Sequence, residues 1–363
     1  MTDPAPTIWL LTDGQPGNLT QIEGLAAHLA DRGADVHVKR LQSNRWHMLG
    51  AALLGASGVS IDRGRSDALA APWPDMVIGT GRRSAPWVRH VKRLSGGQAL
   101  AVQFGLKGAN LMAGLDHAFV AGHWRLPPHP RRETILTPPT GATPARLAAA
   151  KVADTGLLDP ARGPWLLLVL GGRCFDHDLP PALGAGIAVQ ARAAAAHLGG
   201  SLAIVSSRRS GAVLEQAVKK AAPGAVFFPW DQTPNPFLAL LASADAALVT
   251  GDSESMAAEA IAAGLPAYLA PVPTRSSPRM AVERAAAWLH GLGGPCAWAI
   301  RQVWAAGVLL PPRDLGQFLD DLAAAGYARC LTAEAEITLD WYPPPPPDTA
   351  LANRLMAIIR KRS

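Results

Sequence analysis

Residues 246–271 read AALVTGDSESMAAEAIAAGLPAYLAP, and this stretch decides the fold. An apolar run ends at Thr250, Gly251 allows the backbone to turn, and apolar residues at helical spacing begin near Ser255. A second short apolar run follows at residues 267–269. A strand, a helix and a strand within so few residues predict a βαβ unit, which places both strands in a parallel sheet.

The same alternation continues on both sides of this stretch. Further strands are predicted at residues 7–11, 36–41, 76–79, 100–104, 118–120, 165–170, 201–206 and 225–228. Residues 125–164 are rich in proline and poor in long apolar runs, as is typical of a linker. The sequence therefore predicts an α/β protein with domains at residues 1–150 and 160–340, followed by a proline-rich spacer and a basic terminal helix at residues 341–363.

The composition narrows the class of protein. A chain of 363 residues with 49% hydrophobic and 17% charged residues can bury two cores, which excludes a disordered chain. Its net charge of +6 favours anionic partners such as nucleoside diphosphates or acidic lipid headgroups, although a basic surface that only maintains solubility explains it equally well. Three cysteines without a CxxC spacing argue against a disulfide framework or a zinc site.

The sequence carries no recognisable targeting segment. Its first residues do not resemble a signal peptide, and no uninterrupted apolar run reaches the roughly 18 residues of a membrane-spanning helix. We therefore expect a cytoplasmic protein, with peripheral contact to the inner face of a membrane as an open alternative. Residues 45–61, RWHMLGAALLGASGVSI, are either a segment that lies in a membrane interface or a buried helix.

The junction after the strand at residues 246–250 carries the strongest binding chemistry. Asp252 or Ser253 is placed to cap the helix, whose free N–H groups and positive dipole end suit a diphosphate. Glu259 lies one turn into the helix, where a carboxylate can accept hydrogen bonds from both hydroxyls of a ribose. The alternative is an ordinary capped helix with an exposed glutamate. The candidate donor-binding residues of this junction are Gly251, Asp252, Ser253, Ser255, Met256 and Glu259.

Loops after other predicted strands add candidates for the same ligand. Arg208 and Arg209 follow a strand directly, and guanidinium groups give bidentate, permanently charged contacts to a diphosphate. Adjacent arginines usually point in opposite directions, so we expect one of the two to bind. Gly172 and Arg173 follow another strand and make a weaker case. In the N-terminal half, Arg82 and Arg83 open a helix after a strand and are placed to bind a phosphate of donor or acceptor; the candidates there are Gly14, Gln15, Gly17, Asn18, Arg82 and Arg83.

Five segments in a fixed order carry a family resemblance. They are TDGQPGN at residues 12–18, GTGRRSAP at 79–86, SSRR at 206–209, PNPF at 234–237 and TGDSESMAAEA at 250–260. Together they resemble the mitochondrial fission (Elm-type) family of plants and bacteria, over about residues 8–271. The run EAIAAGLPAYL, which starts at Glu259, is also similar to the donor signature of GT-B glycosyltransferases of the MurG type and the lipid-A-disaccharide-synthase type.

The resemblance implies a GT-B-like fold, in which two Rossmann-like domains face a cleft and a C-terminal helix crosses back to the N-terminal domain. It implies that Glu259 binds the ribose of a nucleotide-sugar donor of the UDP type. Residues 229–236 lie where related enzymes hold the base, so that Trp230 can stack on it and Asn235 lies beside it, although Trp230 fits plain packing equally well.

The resemblance also places residues 13–18 on the acceptor side, in a glycine loop where GT-B enzymes often have a catalytic histidine. This chain has Asn18 near that position and no histidine. Asp13 is then the candidate general base for an acceptor hydroxyl. The alternative is that Asp13 only stabilises the turn before Gly14.

These features favour an enzyme that transfers a sugar from a nucleoside diphosphate donor to a lipid or polysaccharide acceptor. We expect no cofactor and no metal ion, because no DxD pair stands near a strand end and arginines can balance the diphosphate charge. A nucleotide-sugar epimerase on the same fold and a non-catalytic membrane-remodelling scaffold stay open. Nucleic acid is not an expected partner, since no basic stripe interleaved with aromatic residues occurs.

Overall fold

A computed structural model of the chain describes residues 4–49, 53–105, 112–126, 128–153, 156–174, 177–305, 308–332 and 336–362, apart from the side chains of residues 16, 17, 82 and 305. The chain divides into two compact units. Unit 1 consists of Met1–Gly141, Ser277–Asp314 and Pro347–Ser363, and unit 2 consists of Ala142–Ser276 and Leu315–Pro346.

Strands and helices alternate along most of the described chain. The strands are β1 Thr7–Thr12, β2 Asp35–Arg40, β3 Met76–Thr80, β4 Leu100–Phe104, β5 His117–Ala121, β6 Arg132–Ile135, β7 Trp165–Val169, β8 Ser201–Val205, β9 Val226–Phe228, β10 Ala246–Thr250, β11 Ala267–Ala270 and β12 Arg329–Cys330. The α-helices are α1 Pro16–Ala30, α2 Gly81–Leu94, α3 Pro144–Ala153, α4 Pro181–His197, α5 Gly211–Ala221, α6 Phe237–Ser243, α7 Glu254–Ala262, α8 Pro278–Gly291, α9 Gly294–Ala305, α10 Leu315–Ala324 and α11 Pro347–Arg360.

Unit 1 is built on a six-stranded parallel sheet in the order β2-β1-β3-β4-β5-β6. Successive side chains of β1 point to opposite faces of this sheet, because side chains alternate along a strand. Ile8 and Leu10 join one hydrophobic cluster with residues of α1 and α11, whereas Trp9 and Leu11 join another with residues of α2. Helices therefore cover both faces, which explains the apolar runs Ile8–Leu11 of β1 and Met76–Ile78 of β3.

Unit 2 is built on a second six-stranded parallel sheet, in the order β12-β11-β10-β7-β8-β9. All five residues of the central strand β7, WLLLV, are buried. Leu166 and Leu168 of this strand pack in one cluster with Ile187 of α4 and Leu214 of α5. The predicted fold class, α/β with two Rossmann-like units, is thus confirmed.

Each sheet has one point at which the strand order reverses, and ligands of open α/β sheets bind beyond the carboxyl ends of the strands at such a point. In unit 1 it lies between β1 and β3, and in unit 2 between β7 and β10. The loops that follow these four strands, together with the first turns of the next helices, contain most of the candidate residues.

The C-terminal helix α11 belongs to unit 1, as predicted for a helix that crosses back. Its residues Leu351, Leu355 and Ile359 share a hydrophobic cluster with Ile22 and Leu25 of α1. Polar contacts fix the helix as well. The carboxylate of Asp348 accepts hydrogen bonds from the backbone N–H and the hydroxyl of Thr140, each at 3.0 Å, and Arg354 Nη2 lies 2.6 Å from Glu133 Oε1.

Two parts of the predicted domain division differ from the structure. Residues 125–164 are not a linker throughout, because they contain β6 and α3. Strand β6, RETI, has no buried residue and therefore no long apolar run, and α3 begins at a proline, which is favoured at the first helical position. Residues 277–314, expected in the C-terminal domain, cluster with unit 1.

Residues 45–61 are not one continuous helix in the part that the structure describes. A 3-10 turn covers Arg45–Leu49, and an antiparallel bridge between Ser43 and Ile61 closes the segment. Leu54 is 6% exposed and Leu53 is 79% exposed, so one leucine of the segment is buried and its neighbour lies at the surface. Among the described residues, no helix is long and apolar enough to cross a membrane.

Candidate functional site

The ends of β7 and β10 are joined by a network of hydrogen bonds at the switch point of unit 2. Thr250 Oγ1 accepts a hydrogen bond from the Gly171 N–H at 2.7 Å and donates one to Asp252 Oδ1 at 2.7 Å. Asp252 Oδ2 accepts a hydrogen bond from the Gly172 N–H at 3.1 Å. Hydrogen bonds therefore hold together the loops that follow the two strands, although Gly172 and Asp252 are 80 residues apart in sequence.

Asp252 has a structural role in this network. Its side chain is fully buried, and Arg209 Nη2 lies 2.9 Å from Oδ2 while Arg209 Nη1 donates to the Asp252 carbonyl oxygen at 3.3 Å. A buried carboxylate is costly without such a partner. Of the two predicted caps of α7, Ser253 is the cap and Asp252 is not. Because its carboxylate is engaged by protein groups, Asp252 orients Arg209 rather than offering free acceptors to a ligand.

Three glycines of the site are explained by close packing. A Cβ atom on Gly171 would collide with the Asp252 carboxylate, and one on Gly172 would collide with the Arg209 carbonyl group. A Cβ atom on Gly251 would lie 2.9 Å from the Ala270 carbonyl oxygen. Gly172 and Gly251, predicted as donor-binding residues, are thus positions where the neighbouring chain leaves no room for a side chain.

The N-terminus of α7 starts at this network. Ser253 Oγ accepts a hydrogen bond from the Met256 N–H at 3.4 Å, and Ser253, Ser255 and Met256 are half-buried. The first N–H groups of a helix have no intrahelical acceptor, so they and the positive end of the helix dipole form an anion site. Glu254 lies in the first turn and contributes a negative charge there.

Glu259 lies inside α7 and is 9% exposed, so the alternative of an exposed glutamate is wrong. Burial raises the pKa of its carboxyl group to about 7, against the opposing effect of the Arg146 charge on α3. A glutamate so little exposed, in a helix that starts at the switch point of the sheet, is placed to accept hydrogen bonds from a ligand bound there.

The two adjacent arginines of the loop after β8 differ in their surroundings. Arg209 points to Asp252, and its side chain is 28% exposed. Arg208 is exposed, as is Arg173, whose backbone N–H donates to the Arg209 carbonyl oxygen at 3.3 Å. Arg209 therefore brings a fixed positive charge to the N-terminus of α7, while the side chains of Arg208 and Arg173 are open to solvent.

The loop after β9 contains the predicted base-stacking residue. Trp230 is 41% exposed, and its backbone N–H donates to Ser206 Oγ at 3.0 Å, next to the end of β8. Asn235 Oδ1 accepts a hydrogen bond from the Phe237 N–H at 2.9 Å at the start of α6, so its side-chain oxygen is engaged. The Trp230 indole is thus held near the carboxyl edge of the sheet with nearly half of its surface open.

A second group of candidates meets at the switch point of unit 1. Asp13 Oδ1 accepts hydrogen bonds from the Gln15 N–H at 3.1 Å and from Asn18 Nδ2 at 3.0 Å, and Oδ2 lies 3.6 Å from Arg83 Nη1. Gly81, with φ 73°, starts α2, and a Cβ atom there would come within 2.9 Å of Asn18 Nδ2. The loops after β1 and β3 are therefore packed against each other.

This geometry gives Asp13 the turn-stabilising contacts of the alternative prediction, and its role as a base stays a prediction. Its side chain is only 5% exposed and both of its oxygens have partners. Gly14 has φ 72°, a left-handed conformation that favours glycine, and Gln15 is the exposed residue that precedes α1. Gly17 and Arg82 are the second residues of α1 and α2, and the Arg82 side chain lies outside the described part of the chain.

Three residues of the unit 2 site were not predicted from the sequence. Thr250 and Gly171 form the central hydrogen bonds. The charge of Arg146 lowers the pKa of Glu259 and so opposes the effect of burial. The spacing of Thr250 and Asp252, with one residue between them, is the only local signal for such a network. Arg146 lies in the stretch interpreted as a linker, so no pattern pointed to it.

A family model described as Mitochondrial fission ELM1 matches residues 16–292, which include the loops after β3, β7, β8, β9 and β10. The chain belongs to the mitochondrial fission ELM1 family. No functionally curated protein matches this ELM1-family chain. Among the described residues, no group of three or more histidine, cysteine, aspartate or glutamate side chains is arranged to hold a metal ion.

Several solved structures are similar to the ELM1-family chain over nearly its whole length. A protein from Listeria monocytogenes assigned as a UDP-N-acetylglucosamine 2-epimerase is 12% identical, with a TM-score of 0.49 and coverage of 99% of this chain and 96% of that chain. Acinetobacter baumannii MurG is 15% identical, with a TM-score of 0.39 and coverage of 98% and 91%. The Escherichia coli ADP-heptose lipopolysaccharide heptosyltransferase II is 13% identical, with a TM-score of 0.44 and coverage of 98% and 99%. These likenesses are too low to carry a function over to the chain.

Proposed function

We propose that this protein transfers a sugar from a nucleoside diphosphate donor, of the UDP type, to a lipid or polysaccharide acceptor. The observation that carries the proposal is Glu259, a buried glutamate in the helix whose N-terminus lies at the switch point of unit 2. The hydroxyl groups of a ribose donate hydrogen bonds to the Glu259 carboxylate.

The diphosphate of the same nucleotide binds at the N-terminus of α7. The helix dipole and the free N–H groups attract it, and the Arg209 guanidinium, oriented by Asp252, adds a positive charge beside the Asp252 carbonyl oxygen. Arg208 is exposed and can turn toward the phosphates. Trp230 stacks on the base, with its exposed ring face as the contact.

The acceptor half of the reaction is assigned to unit 1. Asp13 is the proposed base, and it must exchange its contact with Arg83 for the acceptor hydroxyl before it takes a proton. Arg83, whose side chain is 44% exposed, then binds a phosphate of donor or acceptor. No resident cofactor is part of the proposal, and the nucleotide sugar is a substrate.

A lipid acceptor requires that the protein work at a membrane surface. We place the protein in the cytoplasm, peripheral on the inner face of a membrane, with residues 45–61 as one contact. Trp46, Met48, Leu49 and Leu53 are exposed in this segment, next to Arg45. Apolar side chains beside a cation suit an interface with anionic headgroups.

Two glutamates of α7 provide a test with opposite expected signs. Titration calorimetry with UDP compares the wild type with Glu259→Gln and Glu254→Gln. Loss of the ribose acceptor in Glu259→Gln weakens binding by about 1–3 kcal/mol, because a charge-assisted hydrogen bond is lost. Glu254→Gln removes a negative charge from the first turn and strengthens diphosphate binding.

Each failure of this test has a distinct meaning. Equal UDP affinity in Glu259→Gln and the wild type refutes the ribose role of Glu259. Unchanged affinity in Glu254→Gln, with weaker binding in Glu259→Gln, removes the diphosphate from the helix terminus and leaves the ribose contact. Consumption of a UDP-sugar without acceptor, with an isomerised UDP-sugar as the product, establishes an epimerase instead, and absence of any nucleotide binding supports the scaffold.

A further inference from the structure

Two helices of unit 1 form a hairpin whose end is apolar and open to solvent. Helices α8 and α9 are joined at Leu292 and Gly293. Trp288 lies in the last turn of α8, and Leu292 directly follows this helix. Trp298 lies in the first turns of α9. These three side chains are 65%, 58% and 61% exposed. We call this end of the hairpin, residues 288–298, the tryptophan tip.

The tryptophan tip belongs to a folded hairpin. Met280 and Ala286 of α8 and Ala297 and Trp304 of α9 are buried, and the rings of His290 and Trp304 lie 4.7 Å apart. The outward side of α8 carries small and apolar residues at helical spacing; it consists of Ala281, Ala285, Trp288 and Leu292, all exposed. The exposed tip is therefore part of the outer face of two packed helices.

Exposed tryptophans of this degree stand out within the chain. Trp9, Trp87, Trp165 and Trp304 are all at most 4% exposed. A large aromatic side chain left in water costs free energy, and contiguous apolar surface on a protein usually marks a binding site. The charged residues near the tip indicate which kind of surface it fits.

The charged residues in the segment that contains the tryptophan tip have one sign. From Arg284 to Arg313 the sequence contains no aspartate or glutamate, and Arg284 and Arg301 are exposed on either side of the tip. The nearest acid, Glu283, is buried, and its carboxylate accepts a hydrogen bond from Arg279 Nε at 2.9 Å. An apolar end flanked by arginines complements a surface that is apolar inside and negatively charged at its boundary.

We propose that the tryptophan tip inserts into the interfacial layer of an anionic membrane. Tryptophan favours this layer because its ring is amphipathic, and arginine side chains reach the phosphates while their stems stay on apolar surface. Trp288, Leu292 and Trp298 enter the boundary between headgroups and acyl chains, and Arg284 and Arg301 contact the headgroups. This contact is separate from residues 45–61 and does not rest on the nucleotide site.

The test is vesicle flotation of the full-length protein. The vesicles contain phosphatidylcholine alone or phosphatidylcholine mixed with phosphatidylglycerol. We expect the wild type to float with the mixed vesicles only, less so at high salt, and the combined variant Trp288→Ser, Leu292→Ser and Trp298→Ser to bind about tenfold more weakly. A matched control, Val189→Ser with Val213→Ser, changes two exposed apolar residues of unit 2 and should float like the wild type.

Two further measurements keep the result specific. Arg284→Glu with Arg301→Glu retains the apolar surface and should lose binding to the mixed vesicles. Thermal unfolding of each variant should match the wild type, because all the changed side chains are exposed. Wild-type flotation by the serine variant overturns the proposal, and so does a wild-type dimer in ultracentrifugation that the serine variant dissolves while vesicle binding is absent, which identifies a second copy as the partner.

Discussion

The buried carboxylate of Glu259 gives the sharpest prediction for stability. Its folded-state pKa is raised from 4.5 to about 7 by burial, so folding favours the protonated form. The stabilising contribution of this group is complete below pH 4.5 and is lost as the pH rises through 7. A rise of this size corresponds to about 3 kcal/mol of unfolding free energy at about 1.4 kcal/mol per pKa unit.

Glu259→Gln removes the titration while it keeps the shape of the side chain. Relative to the wild type, the unfolding free energy of this variant should increase by about 2–3 kcal/mol between pH 5 and pH 8, because only the wild type loses stability over this range. Any pH-independent cost of burying the amide cancels in this comparison. Urea unfolding without nucleotide, followed by circular dichroism at several pH values, measures the difference for the transition of unit 2.

The control is Glu215→Gln, which changes a half-buried glutamate on α5 of the same unit. Glu215 is less buried than Glu259, so this variant tests whether the loss of any glutamate charge from unit 2 produces the same result. If the curves for Glu259→Gln and the wild type run parallel from pH 5 to pH 8, the carboxylate is not held in the surroundings described above.

Three other changes test the remaining parts of the site. Asp13→Asn should leave UDP binding intact and lower turnover by about 10²–10⁴, measured as release of the nucleoside diphosphate; an unchanged turnover would exclude Asp13 as the base. Asp252→Ala leaves the Arg209 guanidinium without its partner and should lower the unfolding free energy by about 3–5 kcal/mol in urea, so a loss near zero would contradict the ion pair. Gly172→Ala should cost about 1–3 kcal/mol because its Cβ meets backbone, whereas Gly186→Ala, in open space on α4, should gain about 0.5–1 kcal/mol; equal effects would argue against the close packing.

The strands were predictable because buried parallel strands are nearly continuous apolar runs. β4 and β10 have the bounds expected from the sequence, and β7 ends one residue earlier than expected. Strand β6 and helix α3 were missed because neither has a strong apolar pattern: β6 has no buried residue, and α3 buries only Leu147. A weakly apolar element beside prolines looks the same in sequence as a linker.

The position of the site was predictable from the sequence, whereas its hydrogen bonds and ion pairs were not. The order of strands, glycines and polar residues indicated which loops meet at the sheet edge. The ion pair of Asp252 with Arg209 and the burial of Glu259 depend on segments that are distant in sequence, so no local pattern predicts them. The exposure of Trp288 and Trp298 is likewise a tertiary property, since the same residues at the same spacing also fit a buried helix pair.

The return of α11 to unit 1 determines the order in which the protein can be completed during synthesis. Unit 2 has received all of its residues once Pro346 has been made, whereas unit 1 still lacks Leu351, Leu355 and Ile359, which belong to the same cluster as β1 and α1. The first unit to be started is therefore the last to be finished. Until Pro347–Arg360 has left the ribosome, the surface of α1 that receives this helix is open to water, and a nascent chain in that state is exposed to chaperones and to aggregation.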